Sequence, residues 1–217
     1  MGLAKTEYSC TTVEEYLALE RQSETRNEYL DGLIYAMADE SSEHDEICTN
    51  IVGQLYLQLK SKSCRVRAKD TKVLSGLNSK SRSYAKGLYS YPDILVVCED
   101  LRFHDEHNDV LLNPTVIIEV LSPSTEAFDR GEKFWRCRSY IETLQDYVLV
   151  SQNKPLIEHF TRYSDTQWLL ATTITDSAKN LRLDSIDCLL NLHETYDRVA
   201  FSLPLKPRII TPNTNFD

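Results

Sequence analysis

At 217 residues, with 41% hydrophobic and 26% charged, the chain can bury one core with elaborations and is too apolar to be disordered. A formal net charge of −9 argues against a protein that coats nucleic acid by charge alone. No apolar stretch approaches the roughly 20 residues of a membrane helix, and no charged-then-apolar secretory pattern opens the sequence.

Thr12 to Arg21 reads as a short helix, with Thr12 as cap, Glu15 three residues on, and Tyr16, Leu17 and Leu19 as a weak apolar face. Asn27 to Ala38 reads as a hairpin turning at Asp31-Gly32, a strong two-residue turn signal. In the stretch 45–60, Ile47, Ile51, Val52, Leu55 and Leu59 recur at helical spacing. Cys64 to Val73 reads as one charged strand, and 76–87, rich in Ser, Lys, Asn and Gly, as a loop. A strand follows Pro92, an acidic connection runs from Glu99 to Asp109, and Val116 to Leu121 has the apolar, β-branched character of a strand covered on both faces. Asp129 with Glu132 makes a capping pair for a helix whose Phe134, Cys137 and Ile141 face a sheet. Asp146 to Val150 is the next strand, and a helix between two strands favours a parallel, right-handed crossover. Leu156 to Phe160 and Gln167 to Thr173 suggest an added antiparallel section with a turn at Asn153-Lys154-Pro155, and Leu189 to Val199 a closing helix. The expected architecture is α/β, a mixed central sheet flanked by helices with added antiparallel strands. It forms one domain over 1–203, followed by a loosely held tail over 204–217.

Six cysteines stand at 10, 48, 64, 98, 137 and 188 with no close pair, which disfavours a zinc ribbon. Cys98, after Leu95, Val96 and Val97, reads as a small core residue, and the set fits a reducing cytoplasm. Charge is uneven. The segment 60–88 holds nine basic residues and one acid, a net +8, which leaves −17 for the remainder. Either a basic edge lies beside an acidic site, with Arg65, Arg67, Lys69 and Lys72 as phosphate contacts, or lysines keep a solvated loop soluble.

The chemistry centres on two acids. Glu119 interrupts the run Val116, Ile117, Ile118, Val120, Leu121, where an ionised carboxylate is costly unless a cation or hydrogen bonds meet it. Asp93 opens the apolar run Ile94, Leu95, Val96, Val97. Two carboxylates at the ends of apolar strands, with Lys133 downstream, suit a Mg2+ site (Mn2+ as the alternative) for phosphodiester hydrolysis, in which the Val120 carbonyl adds a ligand and the ammonium orients water. No G-x-x-x-x-G-K-[ST] loop and no G-x-S-x-G elbow points to other chemistry.

Several stretches carry a resemblance: Arg26-Asn27-Glu28-Tyr29-Leu30-Asp31-Gly32, Ser42-Glu43-His44, Tyr91-Pro92-Asp93, Asn113-Pro114-Thr115, Ile118 through Thr125, Asp129 through Phe134, and Tyr147 through Val150. They span roughly residues 8 to 200. The chain resembles the Uma-two family of "putative restriction endonucleases" within the PD-(D/E)XK nuclease superfamily. The resemblance implies a metal-dependent DNA nuclease, a homodimer, with Asp93 and Glu119 at the two acidic positions. The superfamily's lysine two residues after the glutamate is Leu121 here, and Lys133 on the next helix is its expected replacement.

Other residues keep two readings. Glu28 is a third acid of the site or bonds across its hairpin. His44 caps a helix or touches the site, and Asp70 lies near the metal or pairs with Lys69 or Lys72. Asp129 reads as a helix cap, and Arg130 as a phosphate contact or a surface residue. The competing function is a non-cleaving DNA-binding or mobile-element accessory protein on the same fold, kept open by Leu121 and served by the basic segment.

Overall fold

The computed structural model describes residues 11–37, 40–76 and 87–201. Most of the expected loop over 76–87 and the tail over 204–217 lie outside the described residues.

Thr12 accepts the Glu15 N–H while the Glu15 carboxylate accepts the Thr12 N–H, a complete capping box that starts α1 (Val13–Glu20). A hairpin of β1 (Asn27–Leu30) and β2 (Leu33–Ala36) turns where Asp31 and Gly32 both take positive φ, 48° and 94°, as a two-residue hairpin turn requires. Ser41 caps α2 (Ser42–Leu59), which starts three residues earlier than its apolar spacing suggested because the first turn carries His44 inward.

The charged stretch after Cys64 is two strands, not one. β3 (Arg65–Ala68) ends at Lys69, whose φ of 44° turns the chain away, and β4 (Lys72–Gly76) joins a different sheet. β5 (Gly87–Ser90), β6 (Ile94–Val97), β7 (Val110–Leu111) and β8 (Val116–Leu121) follow. Asp129 does not cap a helix. It lies within a continuous helical run: α3 (Glu126–Phe128), a π turn over Asp129–Lys133, and α4 (Phe134–Tyr140). β9 (Asp146–Ser151) is the strand after the crossover, parallel to β8, and β10 (Ile157–Arg162) with β11 (Trp168–Ile174) forms the added antiparallel section. The expected closing helix is instead a hairpin, β12 (Asn180–Leu183) with β13 (Cys188–Asn191), capped by the single turn α5 (Leu192–Thr195). The alternation of buried and exposed residues through Leu181 and Leu183 carries that hairpin.

The main sheet has six strands in the order β11-β10-β9-β8-β6-β3, with β8 and β9 parallel and the other neighbours antiparallel. A second, five-stranded sheet has the order β2-β1-β5-β4-β7. Alternate residues of the central strands supply two cores. Ile94, Val96, Val116, Ile118 and Val120 pack on Ile47, Ile51 and Leu55 of α2. The intervening Leu95, Val97, Ile117 and Leu121 pack with Phe134, Cys137 and Ile141 on the α4 side. Two-residue periodicity puts Glu119 with Ile117 and Leu121, on the α4 face.

The cysteine expectation needs one correction. Cys64 and Cys98 flank the β3–β6 pair and are joined by a disulfide, where the sequence reads Cys98 as a small core residue. Their separation of 34 positions hid a pairing that strand register creates. Cys48, Cys137 and Cys188 are free and buried. No described helix is long and apolar enough to cross a membrane.

Candidate active site where two strands part

The β6–β8 ladder ends at the Ile94–Ile118 pair. One step beyond it Asp93 and Glu119 face each other, and side chains take over from the ladder. Asp93 Oδ2 accepts the Val120 N–H at 2.8 Å, and the Asp93 N–H points to Glu119 Oε2 at 3.4 Å. Both acids are buried, Glu119 to 2% exposure.

Lys133 reaches this point from the π turn. Its Nζ stands 2.8 Å from Glu119 Oε1, 3.5 Å from Asp129 Oδ1 and 3.8 Å from Glu28 Oε1. Lys133 thus reaches Glu119 from another element, while position 121 is a leucine. The π turn makes this reach possible: Asp129 and Lys133, four apart, both turn inward, and the Tyr147 hydroxyl fixes the turn by donating to the Asp129 carbonyl at 3.0 Å. Glu28 arrives on β1 and accepts the Tyr91 N–H at 3.0 Å, so it bonds to the strand-opening segment and not across its own hairpin.

The electrostatics are dominated by burial. Lys133 keeps its proton well above the usual lysine range: desolvation works against the charge, but Glu119, Glu28 and Asp129 outweigh it. Burial pushes Glu28, Glu119 and Asp129 up from the ordinary carboxylate range against the pull of Lys133, and Asp93 adds to the push on all three. His44, also desolvated, is held up to about 12 by its contacts with Asp93, Cys48 and Glu40.

Glu28, Asp93, Glu119 and Asp129 thus outnumber the two cations among them. Glu119 Oε1 is buried, and Lys133 Nζ at 2.8 Å is its charged partner. A surplus of buried carboxylate fits a hard divalent cation, which takes oxygen donors.

The other expected residues divide. His44 lies at the site, Nε2 3.2 Å from Asp93 Oδ2. Asp70 does not: its side chain is 92% exposed and 3.6 Å from Arg26, not paired with Lys69 or Lys72. The basic residues are largely engaged inside the fold. Lys72 is 4% exposed, 3.3 Å from Asp109 and over the Tyr91 ring. Lys69 pairs with Glu40 and with Asp45, and Arg130 with Glu126 and Glu158. Arg65 is exposed and Arg67 half-buried on β3. Sequence reasoning missed Asp129 as a neighbour of the site; its spacing of four from Lys133 was the available signal.

A mixed sheet between helical layers, with acids where two strands part and a lysine from the next helix, defines a restriction endonuclease-like α/β fold. A structure titled as that of a "putative nuclease" from Anabaena variabilis superposes with a TM-score of 0.66 over 86% of this chain and 97% of that one, at 17% identity. Residues 13–192 match the model of the Uma2 family, described as "Putative restriction endonuclease". Two proteins of Synechocystis sp., sll1609 and slr1290, are each 32% identical to the chain. The first aligns over 77% of this chain and 90% of its own length, the second over 87% and 92%. The chain belongs to the Uma2 family.

Proposed function

We propose that the chain is a divalent-metal-dependent endodeoxyribonuclease that hydrolyses DNA phosphodiester bonds. The observation that carries this reading is the meeting of Asp93, Glu119 and Lys133 at the end of the β6–β8 ladder, with Lys133 Nζ 2.8 Å from Glu119. Membership of a family described as restriction endonucleases supports it.

In this reading Asp93, Glu119 and the Val120 carbonyl would hold Mg2+ or Mn2+, which when bound would supply an activated water and offset the charge that builds on phosphorus. Lys133, kept protonated by its three carboxylates, places an ammonium where it orients that water and steadies the developing negative charge. Glu28 and Asp129 set the local field and hold Lys133 in place. Arg65, exposed on β3, is free to meet a DNA backbone. A homodimer belongs to the same reading, the second copy cutting the other strand.

Thermal unfolding with and without divalent ion tests the site. Magnesium or manganese raises the Tm of the wild type and leaves that of Asp93→Asn unmoved. An equal rise in both proteins would overturn the assignment of Asp93.

A further inference from the structure

His44 invites assignment as a ligand. One donor atom each from His44, Cys48 and Asp93 falls within 4.8 Å of the other two, and all three residues are buried. The ring geometry argues otherwise. Nε2 faces Asp93 Oδ2 at 3.2 Å, whereas Nδ1 faces Glu40 Oε2 at 3.3 Å and Cys48 Sγ at 3.6 Å. An imidazole offers an ion one lone pair from one edge. Asp93 and Cys48 lie off different edges, so the trio does not converge on a common point.

The contacts instead close a circuit. Glu40, on the far side of His44, is held by Lys69 Nζ, which Asp45 shares at 2.7 Å. The Lys69 N–H then returns to the starting residue, donating to the Asp93 carbonyl at 3.0 Å. Lys69 does both from the left-handed turn that ends β3, at φ 44°. That conformation is strained for a non-glycine residue and persists only where the surroundings hold it. Here it presents the backbone N–H to Asp93 and the ammonium to Glu40. Asp93 is thus gripped twice, at its carboxylate by His44 and the Val120 N–H and at its main chain by Lys69.

We propose that the circuit Asp93–His44–Glu40–Lys69 positions Asp93 for its cation, with His44 and Lys69 as positioning residues, and that Lys69 is not a phosphate contact. The proposal rests on the reading of Asp93 as a metal ligand and assigns a role to a residue whose place in a basic segment suggested DNA. Partners behind a metal ligand fix its orientation, and losing one costs metal affinity.

The experiment is Mn2+ binding to the full chain by titration calorimetry, alongside duplex DNA binding in chelator at several salt concentrations. In His44→Ala and in Lys69→Met the Mn2+ dissociation constant rises roughly ten- to a hundredfold. The double variant falls short of the product of the two effects, as members of one network do. Lys69→Arg, which keeps the ion pair and the backbone donor, restores affinity, an outcome that general loosening of the fold would not give. DNA binding in chelator is unchanged by Lys69→Met. Should His44→Ala not fold, the Lys69→Met and Lys69→Arg pair decides alone. Wild-type Mn2+ affinity in Lys69→Met, joined to weaker DNA binding and a salt slope smaller by about one, would overturn the proposal and make Lys69 a phosphate contact. Absence of Mn2+ binding by the wild type would overturn the metal reading itself, and this inference with it.

Discussion

Lys133 shows how a single residue can be both necessary and costly. A lysine–carboxylate pair at the surface contributes about 0–1 kcal/mol, whereas removing one partner of a buried pair strands the other and costs about 3–5 kcal/mol. Lys133 is 4% exposed and faces Glu119, Asp129 and Glu28. Lys133→Met in chelator is therefore expected to lose about 3–5 kcal/mol of unfolding free energy in urea melts. A loss below about 1 kcal/mol would mean that the three acids do not depend on it. Glu119→Gln goes the other way: it removes one charge from a surplus of buried carboxylates, so the metal-free protein holds or gains stability while cleavage is lost. A site that is strained without its ligand and improved structurally by inactivation is what a binding site for a cation should show.

At the scale of elements, the acids depend on how strands end. Asp93 and Glu119 were legible in the sequence because a carboxylate in an apolar run has few inexpensive explanations. The hairpin was legible too, since Asp31-Gly32 specifies its turn by backbone conformation. That turn sets the register of β1, which carries Glu28 to the site. Gly32→Ala, at φ 94°, is expected to cost about 1–2 kcal/mol and to lower the Tm. An unchanged Tm would show that the turn relaxes without effect on register. Other features were not legible, for physical reasons. The π turn over Asp129–Lys133 arises from packing under Tyr147 and Glu119, so local capping rules misread Asp129. Lys69 divides the charged stretch into two strands through a left-handed φ that its residue type does not announce. Lys72, polar in any sequence reading, is buried because Asp109 and the Tyr91 ring come to it from distant positions.

At the scale of the whole molecule, the second sheet and α1 are tied together by ion pairs as well as by their shared core. Arg21, just past α1, meets Asp105 at 2.8 Å and Asp109 at 2.9 Å, and Asp109 also takes Lys72. Burial alone would raise the Asp109 pKa, but Arg21 and Lys72 outweigh it and hold it down at about 2. A carboxyl depressed below its unfolded value of about 3.9 adds stability above that value and loses it as pH falls toward 2. The stability gap between wild type and Asp109→Asn should thus be full at pH 5 and close on acidification between about 4 and 2. A gap independent of pH would contradict the ion-pair account. The basic segment changes meaning at this scale as well. Among the described residues of that segment, Lys62, Lys69 and Lys72 meet acids from elsewhere in the fold, so these three cations are held in internal pairs.

The central claim is that Asp93, Glu119 and Lys133 cut DNA together. Cleavage of supercoiled plasmid by purified protein in magnesium or manganese, beside Glu119→Ala and Lys133→Ala, tests it most directly. The account predicts nicked and linear products from the wild type, none in chelator, and none from either variant. A folded wild type that binds plasmid without cutting it, or cutting that survives Glu119→Ala, would contradict it.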